Sequence, residues 1–84
     1  MATFILTIKD DDGEILFQQA GDSKESMQLA AIAWMKDFAE DYFGEETLHD
    51  VLGDNYTPEQ AFKYIKKIGE TVEDAPQLNI RKAG

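Results

Sequence analysis

The 84-residue chain contains no cysteine. That excludes a disulfide framework and any thiolate metal site, and it fits a reducing compartment. Other chemical resources are nearly as scarce. His49 is the only histidine and Arg81 the only arginine. His49 neighbours Asp50, but adjacent residues on a helix point about 100° apart and make a poor catalytic dyad. No serine, cysteine or second histidine is placed to complete a triad, so His49 reads as a surface or half-buried residue. A single arginine gives no bidentate phosphate or carboxylate clamp. The six glycines are scattered at turns rather than gathered in a phosphate-cradling loop. No apolar run approaches the ~20 residues that span a bilayer. The N-terminus lacks the basic region of a signal peptide, and Phe4–Ile8 is too short for its apolar region. These features predict a soluble cytoplasmic protein that is not an enzyme and has no cofactor.

Positive charge is also scarce. The net charge is −9. Residues 1–62 carry 14 acids against 3 lysines, a net of −11, and residues 63–84 carry 5 cations against 3 acids, a net of +2. This balance argues against direct binding of nucleic acid, which needs clustered cations, and against an anionic membrane surface. Hydrophobic residues make up 43% of the chain, enough for a folded core rather than a charged disordered segment. The length predicts a single acidic globular domain over residues 1–84.

The stretch Asp22–Phe43 reads as one long helix. Asp22 is placed as its N-cap with Glu25 as capping-box partner. Met27, Ala31, Trp34, Phe38 and Tyr42 repeat at helical spacing and form the predicted core stripe, with Ile32, Met35 and Ala39 beside it. Trp34 reads as core, and one of Tyr42 and Phe43 must be near the surface. Gly44 is expected to close the helix in the left-handed conformation.

Thr3–Ala20 alternates as a hairpin. Asp12-Gly13 is its predicted two-residue turn, which sets Ile8 opposite Phe17 and Leu6 opposite Gln19. Phe4, Leu6, Ile8 and Phe17 should face the long helix. Glu45–Leu52 reads as a short helix ended by Gly53, with Leu48, Val51 and Leu52 buried. A further helix starts at Thr57, with Pro58 at its first position and Gln60 completing a capping box. Ala61, Tyr64, Ile65 and Ile68 form its predicted core stripe. It ends at Gly69 or runs on to about Glu73, and Asp74-Ala-Pro76 stops it. Gln77–Lys82 alternates as a third strand at an edge of the hairpin. The predicted fold is α+β in the order ββααβ, with a three-stranded sheet packed against one long and one shorter helix.

Two acidic groups are candidate sites. Asp10, Asp12 and Glu14 around Gly13 faintly resemble a calcium loop, but the later ligands of a twelve-residue loop are missing, so the stretch reads as a turn and no metal is expected. The second group is Asp37, Glu40, Asp41, Glu45, Glu46 and Asp50, with Asp54 following. In a helix reaching Phe43, Glu40 and Asp41 fall in the last turn, where acids are disfavoured by about 0.3–1 kcal/mol each, and only Lys36 is within reach of Glu40. A local rule broken without compensation points to function. The expected role of these six residues is to bind a partner protein with a basic surface. In size, acidity and lack of cysteine the chain resembles, as a class, the small inhibitors that phages make against host nucleases, restriction enzymes or CRISPR complexes. The resemblance implies a nucleic-acid mimic acting in the host cytoplasm. The alternative is a structural or adaptor subunit that homodimerises through an apolar edge, with Leu29, Phe43 or the edge strands as candidates.

Overall fold

A computed structural model describes residues 2–72 and 75–83. The two strands of the hairpin are β1 (Phe4–Lys9) and β2 (Ile15–Gly21). Ile8 pairs with Phe17 and Leu6 with Gln19, in the predicted register. The turn is longer than two residues, because Lys9 pairs with Ile15 across an irregularity. Gly13 alone takes a positive φ there, of 88°. Asp10 organises the loop: one of its carboxylate oxygens accepts from the backbone N–H of Asp12 at 2.9 Å and of Glu14 at 2.8 Å.

The predicted long helix is divided. Helix α1 spans Lys24–Phe38, and Ser23, not Asp22, is its N-cap, with a side chain that accepts from the Ser26 N–H. At Ala39 the backbone leaves helical geometry (φ −149°, ψ 76°), and a single turn, α2 (Glu40–Phe43), follows. The break contains neither proline nor glycine. It advances the phase of the chain, so that Phe43 enters the core at 3% exposure while Tyr42 is 69% exposed. An unbroken helix would instead carry Tyr42 along the stripe.

The buried face of α1 consists of Met27, Gln28, Ala31, Ile32 and Met35. At 100° per residue, its centre lies roughly 50° from the predicted stripe. Trp34 is therefore half-buried at the margin of the core, and Phe38 is 52% exposed. The two rings stack with centroids 5.5 Å apart, as residues four apart on a helix can.

Gly44 does not take the predicted left-handed conformation, since its φ is −69°. Glycine is required here for space: a Cβ would lie 2.5 Å from the Glu40 carbonyl oxygen. Helix α3 (Glu45–Leu52) follows directly and ends at Gly53. Leu48 is buried and Leu52 partly so, but Val51 faces solvent because it lies off the Leu48 side of this short helix.

Helix α4 (Pro58–Thr71) has the predicted cap. Thr57 Oγ1 accepts from the Gln60 N–H at 3.2 Å, and Gln60 Oε1 accepts from the Thr57 N–H at 2.8 Å. Thr57→Ala is expected to destabilise the fold by about 1 kcal/mol and Thr57→Ser to be nearly silent, as measured by denaturant midpoints. Ala61, Phe62, Ile65 and Gly69 are buried, whereas Tyr64 and Ile68 are only half-buried, so this face too is turned from the predicted one. The helix continues past Gly69 to Thr71, with Val72 as C-cap; Glu73 and Asp74 lie outside the described residues.

Strand β3 (Gln77–Lys82) pairs antiparallel with β1, giving the sheet order β2-β1-β3. Its alternation sets Leu78 and Ile80 on the same side as Leu6 and Ile8. The fold is α+β in the order ββααβ, with the short α2 and α3 between the two main helices. Helix α1 lies on β1 and β2 and against α4, which flanks β3, and the core fills the space between this layer and the sheet. Among the described residues no helix is long and apolar enough to cross a membrane.

Candidate functional site

The break at Ala39 and the close turn at Gly44 decide where the acids lie. Glu40 and Asp41 lie beyond the end of α1, at the start of the single turn α2. Glu45 and Glu46 likewise open α3. Backbone N–H groups point outward at a helix start, so a carboxylate there is favoured. The misfit predicted for Glu40 and Asp41 is thereby removed. It falls instead on Asp37, in the last turn of α1, and on Asp50, in the second half of α3. Neither makes an ion pair among the described residues.

Five of the six predicted partner-binding residues come together. Asp37, Glu40 and Glu45 line one shallow depression with Lys36 and Gly44. Glu40, Asp41, Glu45 and Glu46 line the next, again with Gly44. Asp50 lines neither, but it lies one helical turn beyond Glu46 on the same face of α3. Lys36 is the only cation in either lining, and it bridges to Glu45 rather than to Glu40.

Glu45 differs from its neighbours because it has partners on three elements. One oxygen takes the Lys36 ammonium from α1. The other is 2.8 Å from His49 Nε2 and accepts from the Tyr56 hydroxyl at 2.9 Å. The hydrogen bond from Lys36, followed by that from Tyr56, holds the Glu45 carboxyl down at about 2. Desolvation, then the hydrogen bond to Glu45, pushes the Tyr56 hydroxyl up. The His49 ring meets the Tyr56 ring edge-on at 5.3 Å. Its Nδ1 is 3.4 Å from Asp54 but makes no hydrogen bond. The predicted neighbour Asp50 plays no part in these contacts. Glu45 thus fastens α3 to α1 and to the segment leading into α4. Its side chain remains 58% exposed, so water and salt screen these pairs, and they orient α3 more than they stabilise the fold. The i,i+4 spacing of Glu45 and His49 was a readable signal for part of this arrangement. With Glu45 on one ring nitrogen and Asp54 flanking the other, His49 offers little free edge to a substrate.

At the hairpin tip the carboxylates of Asp10, Asp11 and Asp12 lie within 4.8 Å of one another. Glu14 is not among them, and Asp10 already serves the turn.

One surface was missed by sequence reading. Phe38, Ala39, Tyr42 and Phe43 face Ile68 and Val72 of the α4 end across an apolar depression of ≈ 280 Å³. Phe38, Tyr42 and Val72 are exposed there. Of the apolar edges predicted for dimerisation, Phe43 is buried, while Leu29 and the β2 residues Ile15 and Leu16 are exposed. No protein-family model matches the chain, and no curated protein or solved structure is significantly similar to it.

Proposed function

We propose that the chain is a non-enzymatic inhibitor that engages the basic, nucleic-acid-binding surface of a partner protein, such as a nuclease, restriction or CRISPR-type complex. The observation that supports this reading is the continuous acidic surface around Gly44, where the one nearby cation, Lys36, is already engaged by Glu45. Asp37 and Asp50 extend it from positions that helix electrostatics disfavour. Carboxylates set in shallow concavities can receive protruding lysine and arginine side chains, as phosphate rows do. Opposite charge speeds and orients such an encounter, and salt weakens it.

The test reverses the charge while sparing Glu45, whose replacement would release α3. In D37K/E40K/D41K/E46K the net charge moves from −9 to −1, four residues each changing by +2. E46K opposes the dipole of α3 by about 0.3–1 kcal/mol, D37K in the last turn of α1 is favoured by about as much, and relief of self-repulsion adds to the gain. The expected outcome is a folded variant of about wild-type stability. Wild-type protein should capture nucleic-acid-binding proteins from a bacterial lysate at low salt and lose them at high salt, and the variant should capture none of them. Capture of the same proteins by the variant would remove the acidic surface from the interface.

A further inference from the structure

Among the described residues, Tyr42 is the only polar side chain lining the apolar depression between the α1–α2 junction and the end of α4. Its ≈ 280 Å³ falls below the roughly 300–1,000 Å³ of small-molecule sites. It has room for one or two side chains, and exposed aromatic and aliphatic groups line it. Its surroundings decide what can supply them. Tyr42 and Phe43 look into it from one side of the single turn α2, and Glu40 and Asp41 line the acidic depression on the other. A second copy of a chain with net charge −9 is repelled from this face, and so is an anionic membrane.

We propose that the depression receives a bulky apolar residue of an extended, basic segment of the partner, with that segment crossing α2. This deepens the function proposed above and rests on it. A helix with its side chains is about 10 Å across, and an extended chain advances ~3.3 Å per residue. An apolar anchor seated beside Phe38 and Val72 therefore sets lysines or arginines about three residues away against Glu40 and Asp41. The apolar contact supplies affinity that salt does not screen, and the charges supply orientation.

Two fluorescein-labelled peptides test this by anisotropy. One carries a leucine–phenylalanine pair three residues before a lysine–arginine–lysine run; the other has serines in place of the pair. Wild-type protein should bind the anchored peptide at least ten-fold more tightly. In F38S/V72S, which alters two exposed side chains, binding of the anchored peptide should fall to the level of the serine peptide. In D37K/E40K/D41K/E46K both peptides should weaken. Equal binding of the two peptides by wild type, or an anchor preference that survives in F38S/V72S, overturns this proposal and leaves the acidic reading intact. Failure of both peptides to bind wild type, or undiminished binding of both by the charge-reversal variant, overturns the acidic reading and this proposal with it. Should F38S/V72S not fold by circular dichroism, the comparison of the two peptides on wild-type protein still decides.

Discussion

Met35→Ala is expected to destabilise the protein by about 2–5 kcal/mol, the range for deleting a fully buried side chain of this size. Met35 has no exposed surface and belongs to the core cluster with Leu6, Ile8, Met27, Leu48 and Ile65. A domain of 84 residues buries only about 60–70% of its unfolded surface. Its total stability is of order 5 kcal/mol, so this one truncation can unfold most of the population near body temperature. Trp34→Ala is the control. Trp34 is the larger residue, but it is half-buried and its ring partner Phe38 is exposed. Its loss should cost about 1–2 kcal/mol, from partial burial and one stacked pair. Urea denaturation of the two variants fixes the order. If Trp34→Ala is the more damaging, the buried face of α1 is centred on Trp34 and not on Met35.

That reversal shows where the sequence could be read and where it could not. The hairpin register was legible because a two-residue period allows few alternatives once Asp-Gly marks the turn. The start of α4 was legible because Thr57 and Gln60 each satisfy the other's backbone N–H and Pro58 has none to satisfy. The end of α3 and the third strand were marked equally locally, by Gly53 and by the alternation of Gln77–Lys82. The division of α1 from α2 carried no such mark. Helix breaks usually show a proline or glycine, and Ala39 is an excellent helix former. What favours the break is tertiary: it turns Phe43 into the core at the cost of exposing Tyr42. The aromatic repeat Trp34–Phe38–Tyr42 pulled the predicted stripe toward itself, although those rings lie at the margin or outside. The candidate site inherits the same division. Its residue list was legible, since the acids are close in sequence and five of them meet. Their electrostatic setting was legible only in part: the start of α3 at Glu45 was predicted, but the break at Ala39, which takes Glu40 and Asp41 off the end of α1, was not. The Lys36–Glu45 and Tyr56–Glu45 contacts and the apolar depression join segments that only the folded chain brings together.

The second large effect is expected at Gly44, and a different glycine shows why. At Gly13 the backbone has φ +88°, but nothing lies within 4 Å of the place a Cβ would take. Gly13→Ala should therefore cost about 1 kcal/mol, from backbone strain alone, and leave the rest of the protein unmoved. At Gly44 the φ of −69° suits any residue, but a Cβ would meet the Glu40 carbonyl oxygen at 2.5 Å and Glu40 Cγ at 3.2 Å. The side-chain carbon can rotate away; the carbonyl cannot, because it accepts the Gly44 N–H at 2.8 Å and so closes α2. Gly44→Ala must lengthen that bond and displace α3 from α2. Overpacking of this kind costs about 1–3 kcal/mol. The displacement also reaches function, since Gly44 lines both acidic depressions and precedes Glu45 directly. Glu45 should then lose its contacts with Lys36 and Tyr56, and His49, which moves with Glu45 on α3, should lose its edge-on packing against Tyr56. The measurement is the pair of melting temperatures together with the imidazole NMR signals of His49. Gly44→Ala should lower the melting temperature further than Gly13→Ala and shift the His49 signals, while Gly13→Ala leaves those signals in place. A Gly44→Ala protein with wild-type stability and unchanged His49 signals would mean that α2 and α3 tolerate a side chain at their junction, and that the acidic surface does not depend on a close turn there.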